Sequence, residues 1–153
     1  MTPGEFELGR DGPSALVVGV DGSPTSLRAA AYAAGLARRQ RTRLVIVYAR
    51  RHPPALISIA DHAGLAAKEA MDAQDEVAAQ LREALRVQAA TWDIDATLVV
   101  RFGDPLSVLC EVAREVRADG VVVGSSASVG HRIAGSLAVR LVRSGRWPVT
   151  VVP

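Results

Sequence analysis

The sequence predicts a three-layer α/β/α protein built on an open, five-stranded parallel sheet. Three observations support this fold class. Five short apolar runs, rich in β-branched residues, are typical of strands that are buried on both faces. Four helical patterns separate these runs, and two of them begin with a polar residue followed by proline. Because each strand–helix–strand crossover is right-handed, this alternation places helices on both faces of the sheet.

The first strand–helix unit follows a short tail. Residues 1–14 are rich in glycine and proline, and they predict a flexible N-terminal tail. Residues 16–20 are apolar and β-branched, as expected for a buried strand. Ser23 is a favourable N-cap and Pro24 suits the first helical position, so we predict a helix from there to about Gln40.

The second unit pairs a strand with a long helix. Residues 44–49 predict a strand, which the consecutive prolines Pro53 and Pro54 end because they cannot continue a ladder. Residues 55–62 are ambiguous. The alanine-rich and charged segment beyond them predicts an amphipathic helix that packs on the sheet and reaches to about Ala90.

The third unit repeats the plan of the first. Residues 95–101 predict the third strand, after which Asp104 is expected to cap a helix that starts at Pro105. Cys110 lies beside the apolar stripe of this helix. We expect it to pack as a small hydrophobic residue rather than to act as a reactive thiol.

The last unit contains the glycine- and serine-rich loop of the chain. Residues 121–124 predict the fourth strand, and a helix is expected from Ser136 to about Ser144, with Gly145 as its stop. Residues 147–152 predict the fifth strand.

Composition restricts the class of protein. The 153 residues fit one domain, which we place at residues 15–153, and the net charge is only +2. Lys68 is the only lysine among eighteen basic residues, and the arginines are spread along the chain, so we expect no nucleic-acid interface. The single cysteine allows no intramolecular disulfide. No apolar run approaches the roughly 20 residues of a membrane span, so we expect a cytoplasmic protein that does not bind membranes.

The loop after the fourth strand is a candidate anion site. Residues 121–136 run from an apolar strand through a Gly-Ser-Ala loop into a helix start. Such an arrangement gathers backbone N–H groups and the positive end of a helix dipole, which favour phosphate. The alternative is that small residues merely let the backbone turn and pack closely. The loop alone leaves both interpretations open.

Asp21 is the candidate acidic residue of the same site. It follows the first strand, and ligands of such folds bind beyond the carboxyl ends of the strands, where the winding direction switches. There its carboxylate can bond a ribose or amine, or help to hold Mg²⁺. The alternative is a turn former that bonds its own backbone.

Several enzyme classes lack their motifs here. Neither G-x-G-x-x-G after the first strand nor the P-loop motif is present, and Lys68 lies in the long helix. No Ser-His-Asp or Cys-His set has an informative spacing, and the three histidines do not form a metal-ligand pattern. We therefore expect a protein without catalytic residues or a metal site, although this does not decide against weak ATP hydrolysis.

Four short motifs lie where predicted strands meet helices. They are Val-Gly-Val-Asp-Gly-Ser at residues 18–23, Gly-Asp-Pro at 103–105, Gly-Ser at 124–125, and Gly-Ser at 135–136 ahead of the closing strand. In this combination the chain resembles the universal stress protein family over about residues 15–153.

The resemblance implies a sheet of the adenine nucleotide alpha hydrolase-like type and stress-linked regulation rather than a well-defined reaction. It also implies a homodimer that pairs through the last strand, between Pro148 and Val152. An exposed apolar edge of this kind is a liability unless another chain covers it.

The nucleotide-binding branch of that family carries the motif G-x-x-G, nine residues, then G-[ST]. The resemblance implies that Asp21 and Ala49 lie near the adenosine and that the loop starting at Gly124 surrounds the phosphates. ATP is the candidate ligand, with Mg²⁺ if it binds. The candidate nucleotide-binding residues are Asp21, Ala49, Val123, Gly124, Ser125, Ala127, Gly130, Gly135, Ser136 and Leu137.

Two departures from the motif weaken this expectation. Ala127 stands where the second glycine is expected, and only seven residues separate it from Gly135. A methyl group there costs about 1 kcal/mol if the site needs a positive φ, and the shorter loop cannot trace the same path around a triphosphate. Gly130 can restore some flexibility. His131 and Arg132 can offer charge to an anion, and the alternative, which the sequence favours, is that they are solvated loop residues.

Two functions therefore stay open. The first is a small regulator with a weakened adenine-nucleotide site. The second is a homodimeric scaffold that binds no nucleotide and acts through protein contacts. A change in melting temperature on addition of nucleotide separates them, because a ligand that binds only the folded state stabilises it.

Overall fold

The computed structural model describes residues 15–53, 64–125 and 136–153. Its five strands are β1 Ala15–Val20, β2 Arg43–Arg50, β3 Ala96–Phe102, β4 Gly120–Gly124 and β5 Val149–Val152. The helices within these ranges are α1 Pro24–Gln40, α2 Leu65–Trp92, α3 Pro105–Glu115 and α4 Ser136–Ser144. The predicted tail, the ambiguous residues 55–62 and the middle of the glycine- and serine-rich loop lie outside the described residues.

All five strands are parallel, in the order β3-β2-β1-β4-β5. The first strand therefore lies in the middle of the sheet. From it the chain winds outward through β2 to β3, and then crosses to the other side of β1 for β4 and β5. Val18 pairs with Ile46 on one side and with Val122 on the other. The reversal of winding between β1 and β4 leaves a crevice beyond their carboxyl ends.

Two apolar clusters cover the two faces of the sheet, which confirms the three-layer prediction. Alternate residues of β1 point to opposite faces, because side chains alternate along a strand. Val17 joins the cluster under α3 and α4, which includes Leu109 and Leu141. Val18 joins the cluster under α1 and α2. Cys110 is buried in the first cluster and packs there as a small hydrophobic residue.

The N-caps follow their local signals, while some element ends differ from prediction. Ser23 and Asp104 cap α1 and α3 through their side chains, and a proline opens each helix. α2 continues to Trp92, past the predicted end, and stops where Asp93 adopts a left-handed conformation with φ 51°. β5 begins at Val149 rather than at residue 147. Within the three described ranges, no helix is both long and apolar enough to cross a bilayer.

Candidate functional site

A cleft of about 770 Å³ lies beyond the carboxyl ends of β1, β2 and β4. Its walls come from those strand ends, from the turn before α1, and from residues of α2, α3 and α4. This is the crevice that the reversal of strand order creates. Its volume falls in the range of about 300–1,000 Å³ that is usual for small-molecule sites.

Most of the candidate residues that the structure describes meet in this cleft. Ala127, Gly130 and Gly135 lie outside the described residues, and so does the side chain of Ser136, the first residue of α4. The described candidates that do line the cleft show that the turn after β1 and the end of β4 meet at one rim of the sheet. The predicted residues that line the cleft are Asp21, Ala49, Val123, Gly124, Ser125 and Leu137.

Asp21 is held by a local hydrogen-bond network. Its Oδ1 accepts from the backbone N–H of Ser23 at 2.9 Å, and its own N–H donates to Ser26 Oγ at 3.2 Å. Ser26 Oγ in turn donates to the carbonyl of Ser23 at 3.0 Å. The carboxylate is a turn former, as the alternative interpretation required, and it also faces the cleft. The two roles are compatible because the N–H of Ser23 engages Oδ1 while the residue still lines the cleft.

The same network sets the charge of Asp21. Partial burial raises the pKa of the carboxyl group, but hydrogen bonds with Ser23 and Ser26 outweigh it, so the pKa lies below its ordinary value of 3.8. Asp21 is therefore ionised at neutral pH. An ionised carboxylate accepts hydrogen bonds from ribose hydroxyls or an exocyclic amine, and it repels bare phosphate.

Gly124 is required by close packing against the start of α1. A Cβ placed there would lie 2.7 Å from both the carbonyl carbon and the oxygen of Thr25, and 2.9 Å from the backbone nitrogen of Ser26. These are backbone atoms, which cannot swing away. Ser125 continues the strand pairing, since its N–H donates to the carbonyl of Val152 at 2.7 Å. The floor of the cleft is thus closely packed backbone.

The start of α4 supplies the positive end of a helix dipole to the cleft. Leu137, Ala138 and Arg140 line the cleft from this helix. The N–H groups of a helix's first turn have no intrahelical acceptor, and the dipole favours an anion there.

Within the described ranges, no group of three or more His, Cys, Asp or Glu residues is arranged to hold a metal ion.

On the β2 side, Gln74 fixes the wall of the cleft. Its Oε1 accepts from the backbone N–H of Arg51 at 2.7 Å, and its Nε2 donates to the carbonyl of the same residue at 2.8 Å. Tyr48 also lines the cleft on this side; it is buried at 5% exposure, and this burial raises the pKa of its hydroxyl. The chain segment after β2 is therefore attached to α2.

Sequence reasoning missed Tyr48, Gln74 and Arg140, all of which line the cleft. For Arg140 a signal existed, because it lies one helical turn after Ser136 and so shares a face with the helix start. Tyr48 immediately precedes the candidate Ala49. For Gln74 no local signal existed, since its role depends on how α2 lies across the end of β2.

The comparisons with known proteins agree with this geometry. A sequence model of the universal stress protein family matches residues 14–153. A universal stress protein of Methanocaldococcus jannaschii is 26% identical over 143 residues, which cover 90% of this chain and 80% of that protein. The chain belongs to the universal stress protein family.

Solved structures extend the comparison to the fold. A universal stress protein family member from Burkholderia pseudomallei has a TM-score of 0.71 at 26% identity, covering 92% of this chain and 96% of its own. A universal stress protein solved in complex with cAMP has a TM-score of 0.69 at 29% identity, covering 94% and 99%. The predicted fold class is confirmed, and one of these relatives was solved with an adenine nucleotide, cAMP, bound to it.

Proposed function

We propose that this protein is a non-catalytic, stress-linked regulator that binds an adenine nucleotide in the cleft between β1 and β4. The observation that carries the proposal is that Asp21, Gly124 and the start of α4 line one cleft. In this arrangement an ionised acid and an anion-favouring helix terminus face the same space. A nucleoside phosphate, with a polar sugar and an anionic end, has matching chemistry.

The ligand would lie across the cleft in one orientation. The adenosine belongs on the side of Asp21 and Ala49, because a carboxylate favours hydroxyl and amine donors and disfavours phosphate. The phosphates belong over Gly124 and Ser125, toward the start of α4, where the helix dipole favours negative charge. ATP would bring Mg²⁺ with it. The solved relative in complex with cAMP supports an adenine nucleotide as the ligand class.

Thermal unfolding with cAMP, AMP, ADP and ATP, each with and without Mg²⁺, tests this proposal. We expect at least one nucleotide to raise the melting temperature, since a ligand at 100 times its Kd adds about 2.7 kcal/mol of stability. Asp21→Ala should reduce the increase. The matched control is Asp72→Ala, which removes an exposed acid of α2 outside the cleft lining.

No increase with any nucleotide at millimolar concentration would contradict the proposal and favour the scaffold that binds no nucleotide. Equal increases in the two alanine variants would remove Asp21 from the site. Mg²⁺-ATP incubated with the wild-type protein should release no more inorganic phosphate than buffer does.

We also propose that a second copy of the chain covers β5. This strand is an edge of the sheet, and all four of its residues are only partly buried in one copy. The carbonyls of Pro148 and Val152 accept from Val121 of β4 and from Ser125 just after it. By strand alternation the backbone groups of Val149 and Val151 therefore face away from the sheet. These groups and the apolar side chains are available to a partner strand.

The molar mass in solution, measured by light scattering after size exclusion, tests the homodimer. We expect a dimer for the wild type and for Val151→Ala, which keeps the outward N–H. Val151→Pro removes that donor and should give a monomer. A monomeric wild type would contradict the proposal. Within the cell we expect this dimer in the cytoplasm.

A further inference from the structure

Arg140 forms a forked ion pair at the edge of the cleft. Its Nη1 donates to Asp104 Oδ1 and its Nη2 donates to Asp104 Oδ2, both at 3.3 Å. The side chains of Arg140 and Asp104 are 51% and 44% exposed. Arg140 lines the cleft, and so does Pro105, the residue next to its partner. The ion pair therefore joins α4 to the N-terminus of α3 beside the candidate phosphate position.

This ion pair is arranged so that it can be exchanged. Both hydrogen bonds are longer than the 2.7–2.9 Å usual for a charged pair, and exposed pairs contribute little to folding stability. Asp104 keeps other donors if Arg140 leaves, because Ser107 donates to it from its N–H at 3.2 Å and from its hydroxyl at 3.4 Å. Separating the pair leaves no buried charge without a partner.

The position of Arg140 suits a phosphate ligand. Long helical side chains point back toward the helix N-terminus, so its guanidinium lies toward the end of α4 that favours anions. The guanidinium fork that now holds a carboxylate fits a phosphate equally well. Among the described residues that line the cleft, the other cation is Arg51, which follows β2 on the side assigned to the adenosine.

We propose that Arg140 determines specificity for phosphate in this cleft by exchanging Asp104 for a phosphate group of the ligand. Asp104 then acts as an internal competitor, which holds the guanidinium when no phosphate is present and weakens binding when one is. The inference rests on the proposed nucleotide site and names the residue that distinguishes a phosphorylated adenosine from adenosine itself.

Isothermal titration of the full chain with adenosine, AMP, ADP and ATP tests the exchange. Arg140→Gln should weaken binding of the phosphorylated ligands by about tenfold or more, because a charge-assisted forked contact is lost. Adenosine affinity should change less than about twofold. Arg143→Gln is the matched control, since this exposed arginine of α4 lies outside the cleft lining.

Asp104→Asn provides the opposite test. Asparagine caps a helix about as well as aspartate, so α3 should keep its cap while Arg140 loses its charged partner. We expect this variant to bind ATP several-fold more tightly than the wild type, because the internal competitor is weakened. A merely structural ion pair would give the opposite sign, since its loss would loosen the site.

The outcomes separate this inference from the proposed function. If the wild type binds ATP and Arg140→Gln binds it equally well, Arg140 has no such role and the nucleotide site stands. If the wild type binds neither adenosine nor any nucleotide, the proposed function is wrong, and titration with pyrophosphate decides the inference alone. Binding of pyrophosphate that Arg140→Gln loses would support it, and absent or equal binding would overturn it.

Discussion

The turn before α1 and the turn before α3 share one local design but have different surroundings. In each, a polar residue precedes proline, with Ser23 before Pro24 and Asp104 before Pro105. Each cap accepts from the N–H three residues on, at Ser26 and at Ser107, and both distances are 3.2 Å. At the level of the helix start the two turns are equivalent.

They differ in what surrounds the acidic side chain. Asp21 is tied to its own turn through Ser23 and Ser26, and the backbone behind that turn is pressed against Gly124. Asp104 is also tied to its own turn, through Ser107, but it reaches in addition Arg140, 36 residues further along the chain, through a long and exposed pair. Two turns with the same capping signal thus hold their acids differently. Asp21 precedes a turn that is packed against backbone, whereas Asp104 is exposed and its pair with Arg140 can be exchanged.

The largest expected effect comes from the packing behind the first turn. Gly124→Ala places a methyl group against the backbone of Thr25, and overpacking against atoms that cannot move costs about 2–3 kcal/mol of unfolding free energy. The matched control is Gly120→Ala in the same strand, where the nearest atom is at 3.5 Å. Urea denaturation measures both. Equal midpoints for the two variants would show that the backbone of Thr25 and Ser26 can move to accept a methyl group at position 124.

A smaller effect is expected from the caps themselves. Ser23→Ala should cost about 1–2 kcal/mol, since it removes the bond to Ser26 and a 3.2 Å contact with the hydroxyl of Thr25. Asp104→Ala should cost about 1 kcal/mol, and Asp104→Asn less than that, because asparagine keeps the cap and loses only the charge. Urea midpoints again provide the measurement. A larger loss for Asp104→Ala than for Ser23→Ala would reverse the proposed contrast between the turns.

The smallest effect concerns acid. Burial raises the pKa of Asp104, but the N–H of Ser107 and the guanidinium of Arg140 outweigh it, so its pKa, like that of Asp21, lies below 3.8. A carboxyl group with a lowered folded-state pKa adds stability that is complete above its unfolded pKa and is lost as pH falls through the folded value. Both contributions should therefore begin to decline as pH falls to about 4, and they are lost only once the pH is below the folded pKa values.

Unfolding free energies of the wild type, Asp21→Asn and Asp104→Asn between pH 2.5 and 6 check this expectation. Each asparagine variant should lose less stability on acidification than the wild type, because it has one fewer carboxylate to protonate. If both variants kept the wild-type slope, neither carboxylate would be preferentially ionised in the folded state.

Much of the fold could be predicted because its signals are local. The helix starts at Ser23–Pro24 and Asp104–Pro105 depend on neighbouring residues alone. Likewise, β1 and β4 can be recognised from their short apolar runs. The end of α2 was less predictable. The helix continues to Trp92 and ends there because Asp93 adopts a left-handed conformation. No glycine or proline near this position predicts that end.

The candidate site was predictable in part and for a different reason. The positions of Asp21 and Gly124 at one rim follow from parallel strands whose carboxyl ends share an edge, once β1 and β4 are neighbours. The role of Gln74 in the cleft could not be predicted, because its two hydrogen bonds to Arg51 depend on how α2 packs across the end of β2. The pairing of Arg140 with Asp104 likewise depends on how α3 and α4 pack side by side.

Residue order alone specified the alternation of strands and helices, the two capped helix starts and the family motifs, because each of these depends on periodicity or on neighbours within a few positions. Folding decided which ends meet: the central place of β1, the backbone contact that requires glycine at 124, and the partner of Arg140. Those features arise from contacts between segments far apart in the chain, and such contacts exist only once the sheet and its helices have packed.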